Sequence, residues 1–177
     1  MFDLSLSSSA GLLARLALTA WLLGAAYSDI RTGRIPNWLT LPVMLAAGVY
    51  GMVVARHWVI IPIWVVIFLL WELNFMMAGD AKLLMALFAL FPTVEFALVL
   101  TVGGLIELIP LLILRYRRQP VMTTLWSATL RVQNRAFLPT RDELVRDGRR
   151  LAWVFALPAV AYVWFFGYAI LVQIALA

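Results

Sequence analysis

Apolar residues along this chain come in long blocks separated by short polar clusters, instead of alternating with polar ones. Five blocks approach or exceed the length of a membrane span: Ala10 to Ser28, Trp38 to Ala55, Trp58 to Phe75, Phe96 to Leu114 and Leu151 to Ala175. A run of about 20 apolar residues is needed to cross a hydrocarbon core of roughly 30 Å. A sixth block, Ala81 to Phe91, is shorter. At about 1.5 Å per residue it covers only about half a bilayer unless Pro92 to Glu95 extend it. The pattern predicts an all-α, polytopic membrane protein of about six transmembrane helices. It forms a single membrane-embedded domain over residues 1–177, with no internal repeat and no linker.

Composition supports this reading. Of 177 residues, 64% are hydrophobic and 13% charged, whereas soluble domains are closer to half apolar and a quarter charged. The absence of cysteine excludes disulfides, thiolate nucleophiles and cysteine-bound metals. The single histidine, His57, has no second histidine to complete a zinc site. The first ten residues carry Asp3 and serines and no basic segment, which predicts an N-terminus kept in the mature protein.

The net charge of +5 lies between the apolar blocks, a pattern of membrane orientation and not of nucleic-acid binding. With six crossings, the segments Asp29 to Asn37, Met76 to Lys82 and Arg115 to Arg150 fall on one side. They hold twelve of the fourteen basic residues, the others being Arg15 in the first helix and Arg56 in the second turn. Short loops rich in Lys and Arg stay in the cytoplasm, so this side is expected to be cytoplasmic. Asn37 is read as the cap of a helix starting at Trp38, and Thr140 with Glu143 as a capping box. The residues from Val121 to Phe137 have helical spacing suited to the membrane surface. The basic loop at about 115–150 suits anionic lipids.

Candidate chemistry rests on two aspartates. Asp29 ends the first helix and Asp80 begins the fourth, and the two crossings between them return the chain to its starting face. Both carboxylates therefore belong to one boundary. In a poorly solvated site two such groups cannot both ionise, so they hold one shared proton, and the titration belongs to the pair. The ionised member can activate water while the protonated member polarises a carbonyl. A serine mechanism lacks a base, because His57 lies in the turn on the other face. Glu72, two helical turns before Asp80, and Glu107, near the middle of the fifth block, are further acids at membrane depth and hence functional suspects.

The segment Ser28-Asp29-Ile30-Arg31-Thr32-Gly33-Arg34-Ile35-Pro36-Asn37 resembles the first motif of the type IV prepilin peptidases, an aspartate with a basic residue two on and then Ile-Pro-Asn. Met77-Ala78-Gly79-Asp80-Ala81-Lys82-Leu83 resembles their second, GxGD followed by x-Lys-Leu. The likeness covers about Ala10 to Leu114. It implies an aspartyl peptidase of the bacterial inner membrane that removes the short basic leader of pilin-like precursors, with Asp29 and Asp80 as the catalytic pair. Gly79, Lys82, Arg31, Pro36 and Asn37 would support them, and no metal or organic cofactor is implied. Larger relatives add a cysteine-containing domain and a methyltransferase activity. This chain resembles the short, Tad-pilus type that only cleaves. Met77 departs from the pattern by replacing the first glycine, and a long thioether there is expected to hinder close helix approach.

Two other classes remain open on sequence alone. Asp29, Glu72, Asp80 and Glu107 could form the relay of a small proton-coupled transporter, although no inverted repeat accompanies them. A non-catalytic pilus-assembly subunit would also tolerate Met77.

Overall fold

The computed structural model describes residues 9–73, 75–118, 122 and 152–165. These residues form six α-helices and one π-helical turn, with no strand among them: α1 Ser9–Thr32, α2 Asn37–Val49 running into the π turn Tyr50–Val54, α3 Ile60–Glu72, α4 Ala78–Leu90, α5 Val94–Arg118 and α6 Ala152–Phe165. The all-helical class and the order of the elements follow the apolar blocks. Two helices, Gly11–Thr32 and Asn37–Val54, are long and apolar enough to cross a membrane by length and composition, whereas Ile60–Glu72 and Ala152–Phe165 are shorter apolar helices. The capping box at Thr140 and Glu143, and all of the basic loop beyond Arg118 except Met122, lie outside the described residues.

α4 is the centre of the bundle. It buries Asp80, Ala81, Leu83, Leu84, Ala86, Leu87 and Ala89, residues from every side of the helix. An all-round apolar surface of this kind needs neighbours on all faces, and here α2, α3 and α6 pack on it. Its alanines let those helices approach closely. This accounts for the short sixth block, which packs as a core element. The indole of Trp64 on α3 donates to the Met85 carbonyl at 2.9 Å, and the indole of Trp21 on α1 donates to the Leu39 carbonyl at 2.7 Å.

α6 lies antiparallel to both α1 and α5. Ala152 meets Asp29 at one end and Trp164 meets Arg15 at the other. On α5, the absence of a side chain at Gly103 admits Pro158: a Cβ there would come within 2.7 Å of the proline ring. Thr93 caps α5, its hydroxyl accepting from the Phe96 N–H at 3.2 Å and meeting the Tyr162 hydroxyl at 3.2 Å. Around it Phe91, Phe96 and Tyr162 form edge-on and tilted ring contacts with centroids 5.0 to 5.4 Å apart, the geometry that aromatic quadrupoles favour. This cluster closes the end of the bundle remote from Asp29 and Asp80.

Candidate active site

The first motif folds as a helix end followed by an extended step. Asp29 lies in the last turn of α1, and Gly33 (φ 67°) supplies the left-handed residue that stops the helix, its N–H donating to the Asp29 carbonyl at 2.8 Å. The hydroxyls of Ser28 and Thr32 reach the Arg34 carbonyl at 3.1 and 2.9 Å. These bonds fold the Thr32–Arg34 loop back on α1. Pro36 then holds extended geometry (φ −67°, ψ 141°) as the residue that caps α2.

Asn37 does not act as expected. α2 starts at Asn37 itself, and the capping position belongs to Pro36, with no side-chain cap bond. The Asn37 Oδ1 instead accepts a hydrogen bond from Lys82 Nζ at 2.7 Å. A lysine from the second motif thereby engages an asparagine from the first, 45 residues away.

The second motif is a helix start. Met77 is extended (φ −77°, ψ 155°) and caps α4, and its carbonyl accepts from the Ala81 N–H at 3.0 Å. Asp80 is the third helical residue, and its carboxylate is hydrogen-bonded to the Met77 backbone. A side chain at this position reaching back to the capping residue is one half of a capping box, and the helix dipole favours negative charge there. The Met77 backbone makes no demand for the glycine of the family pattern at this place. An extended residue at this φ needs no glycine. The glycine that does have a packing reason is Gly79, where a Cβ would stand 3.2 Å from the Cβ of Ile35. Gly79 thus lets α4 approach the Ile35–Pro36 step.

The two carboxylates are drawn into one buried region. Asp29 is 4% exposed and Asp80 2%, so neither is merely capping a helix in water. Asp29 Oδ2 accepts from the Ala152 N–H of α6 at 3.2 Å. Asp80, at the polar start of α4 ahead of its apolar stretch, has its carboxyl pKa raised to about 7, chiefly by burial and then by the negative charge of Asp29, against a lowering by the Met77 backbone bond. Burial and the neighbouring Asp29 charge both favour the protonated form of Asp80. Beside them Ser28, Thr32, Arg34, Ile35, Pro36 and Asn37 line an open depression of about 530 Å³.

Other sequence-selected residues are placed apart. Arg31 points outward and bonds the Tyr27 hydroxyl at 3.3 Å. Glu72 is exposed at the end of α3, and non-helical residues separate it from α4. The two helical turns expected between Glu72 and Asp80 are therefore not continuous helix. Glu107 is half-buried on α5, and its Oε2 is closed off from water without a hydrogen-bond partner among the described residues. Sequence reading missed the Ala152 N–H, because a backbone donor leaves no signal in residue type.

Two buried carboxylates, Asp29 in the last turn of α1 and Asp80 in the first turn of α4, thus stand at helix ends. Residues 16–112 match the type IV leader peptidase family, more than half of the chain, and the chain belongs to that family. It is accordingly a peptidase of the leader-peptidase kind, an aspartic-type family acting on pilin-like precursors. No curated protein and no solved structure matches it.

Proposed function

We propose that the chain is a prepilin leader peptidase in which Asp29 and Asp80 are the catalytic pair. The observation that carries this reading is the joint burial of both carboxylates, with the charge of one raising the pKa of the other. One shared proton then remains on the pair near neutral pH. The ionised carboxylate takes a proton from water as its oxygen attacks the scissile carbonyl. The protonated one donates to that carbonyl and, as the tetrahedral adduct collapses, a proton passes to the departing amine. Each proton transfer contributes on the order of 10²–10⁴-fold.

In this reading the helices form one membrane-embedded domain of about six spans, with the site at the cytoplasmic boundary of the bacterial inner membrane. The outward faces of α3 and α5 support immersion. Ile61, Val65, Phe68 and Leu69 on α3, and Leu98, Val102, Leu105, Ile106 and Ile109 on α5, are exposed, a larger apolar surface than water-soluble monomers present. Lys82, Asn37, Pro36 and Gly79 hold the two motifs together, while Arg31 faces the anionic head groups of the inner leaflet. The reaction needs no metal or organic cofactor, and the chain cleaves without methylating, in the manner of the short Tad-pilus type. The precursor binds with its cleavable bond at the depression beside Ser28 and Asn37. The test is cleavage of a pilin-like precursor in membranes containing the chain: a product shortened at its N-terminus is expected, and an unaltered precursor alongside rapid proton flux would favour a transporter instead.

A further inference from the structure

Among the described residues α3 packs on α4, and α5 packs on α6. Between those two pairs lies an open groove of about 650 Å³, to which α3 contributes Val66, α4 Leu84 and Phe88, and α5 Ala97 and Thr101. One end of this groove adjoins both aspartates. Asp80, Leu84 and Phe88 follow one another at intervals of four, so the acid and the groove share one stripe of α4. Phe155 also lines the groove. It is one turn of α6 beyond Ala152, whose N–H bonds the Asp29 carboxylate at 3.2 Å.

We propose that this groove docks the apolar α-helix of a membrane precursor and so delivers the adjoining peptide bond to Asp29 and Asp80. The inference rests on the peptidase reading above and names the surface that reading lacks. The lining selects the occupant. Thr101 is the one lining residue with a polar side chain, and its hydroxyl is spent on the Ala97 carbonyl at 2.7 Å. An extended peptide would find no partners there for its N–H and C=O groups, a costly loss in an apolar setting. A helix satisfies its own backbone and offers only side chains, laid into a groove by one face. The α3 side of the groove runs from Val59 to Leu70, about 16 Å at 1.5 Å per residue, or about three turns of such a helix. Acyl chains match the apolar lining equally well, but they give no reason for the groove to end at two carboxylates. A precursor helix does, because it must finish where its neighbouring bond is cut.

Two measurements test this. In membranes holding the full chain with Asp80→Asn, which keeps the precursor uncut, p-benzoylphenylalanine placed at Thr101 should photo-cross-link to the precursor. The same group at Leu13, exposed on α1, should not. Adducts with lipid alone from Thr101, or equal precursor adducts from both positions, overturn the proposal. The second measurement compares cleavage of the whole precursor with cleavage of a soluble peptide that carries the same bond without the apolar helix. Wild type should prefer the precursor. Val66→Trp, which fills the groove from α3, should lower that preference about tenfold through KM, on the scale of one aliphatic side chain expelled from an apolar site. An unchanged preference overturns the proposal. Cross-linking needs no cleavage, so the two ideas fail separately: docking at Thr101 with neither substrate cut by wild type upholds the groove and sinks the peptidase reading.

Discussion

Lys82 and Asn37 meet at 2.7 Å, and through that contact the two motifs are fastened to each other. Asn37 opens α2 and Lys82 is in the first turns of α4, so the bond ties together two parallel helix starts next to Asp80. A hydrogen bond to a charged group contributes about 1.5–3 kcal/mol when buried, and less here because Asn37 is exposed. Asn37→Ala and Lys82→Met are each expected to slow precursor cleavage by about three- to tenfold. The double variant should be no slower than the poorer single one, since both remove the same contact. Additive losses in a cleavage assay would show that the two residues act separately.

The site should also depend on pH with a definite sign. The Asp80 carboxyl pKa is raised to about 7, so the shared proton is present below that value and leaves as pH rises through it. Both carboxylates are then ionised and the acid role is vacant. Initial cleavage rates between pH 5 and pH 9 should therefore fall on the alkaline side, with a limb near neutrality. A rate that is flat from pH 6 to pH 9 would contradict the shared proton.

Gly79 offers a steric test. A Cβ at this position stands 3.2 Å from Ile35 Cβ and 3.3 Å from its Cγ1, tighter than ordinary contact but short of a severe clash. Overpacking of this kind costs about 1–3 kcal/mol. Gly79→Ala should reduce activity several-fold, and Gly79→Val should nearly abolish it. Pairing Gly79→Ala with Ile35→Ala should restore part of the loss, as read from rates and thermal midpoints of the four proteins.

Met77 provides the opposite expectation. Its extended backbone is open to any residue, so restoring the family glycine with Met77→Gly relieves no strain and adds only backbone freedom, at about 0.5–1 kcal/mol. Cleavage by this variant should stay within about threefold of wild type. A large gain in rate would show that the thioether obstructs the site.

Part of this arrangement is legible in the chain because long apolar blocks convert spacing into position. Two blocks between Asp29 and Asp80 led to the expectation that the chain returns to one boundary, and the structure describes both carboxylates as buried. The short block at Ala81 to Phe91 was harder to read. Its length argues for half a span, while its alanine-rich, all-round apolar surface is that of a helix enclosed by others. The break between Glu72 and Asp80 was not legible because the apolar block runs on to Phe75 with no proline or glycine to mark where α3 ends. Asn37 was misread for a different reason. Asparagine before an apolar run favours capping, but a lysine contributed by a distant helix start competes for the same oxygen, and no local pattern records it. The burial of Arg15 was likewise hidden, since it depends on Trp164 of the last helix.

Whether Asp29 and Asp80 work as a pair is read most directly from cleavage of a pilin-like precursor by wild type, Asp29→Asn and Asp80→Asn proteins reconstituted at equal amounts. Each variant is predicted to lose at least about 10²-fold in rate while keeping wild-type helicity and membrane insertion. Cleavage by either variant at close to the wild-type rate would contradict the pairing and the hydrolytic reading built on it.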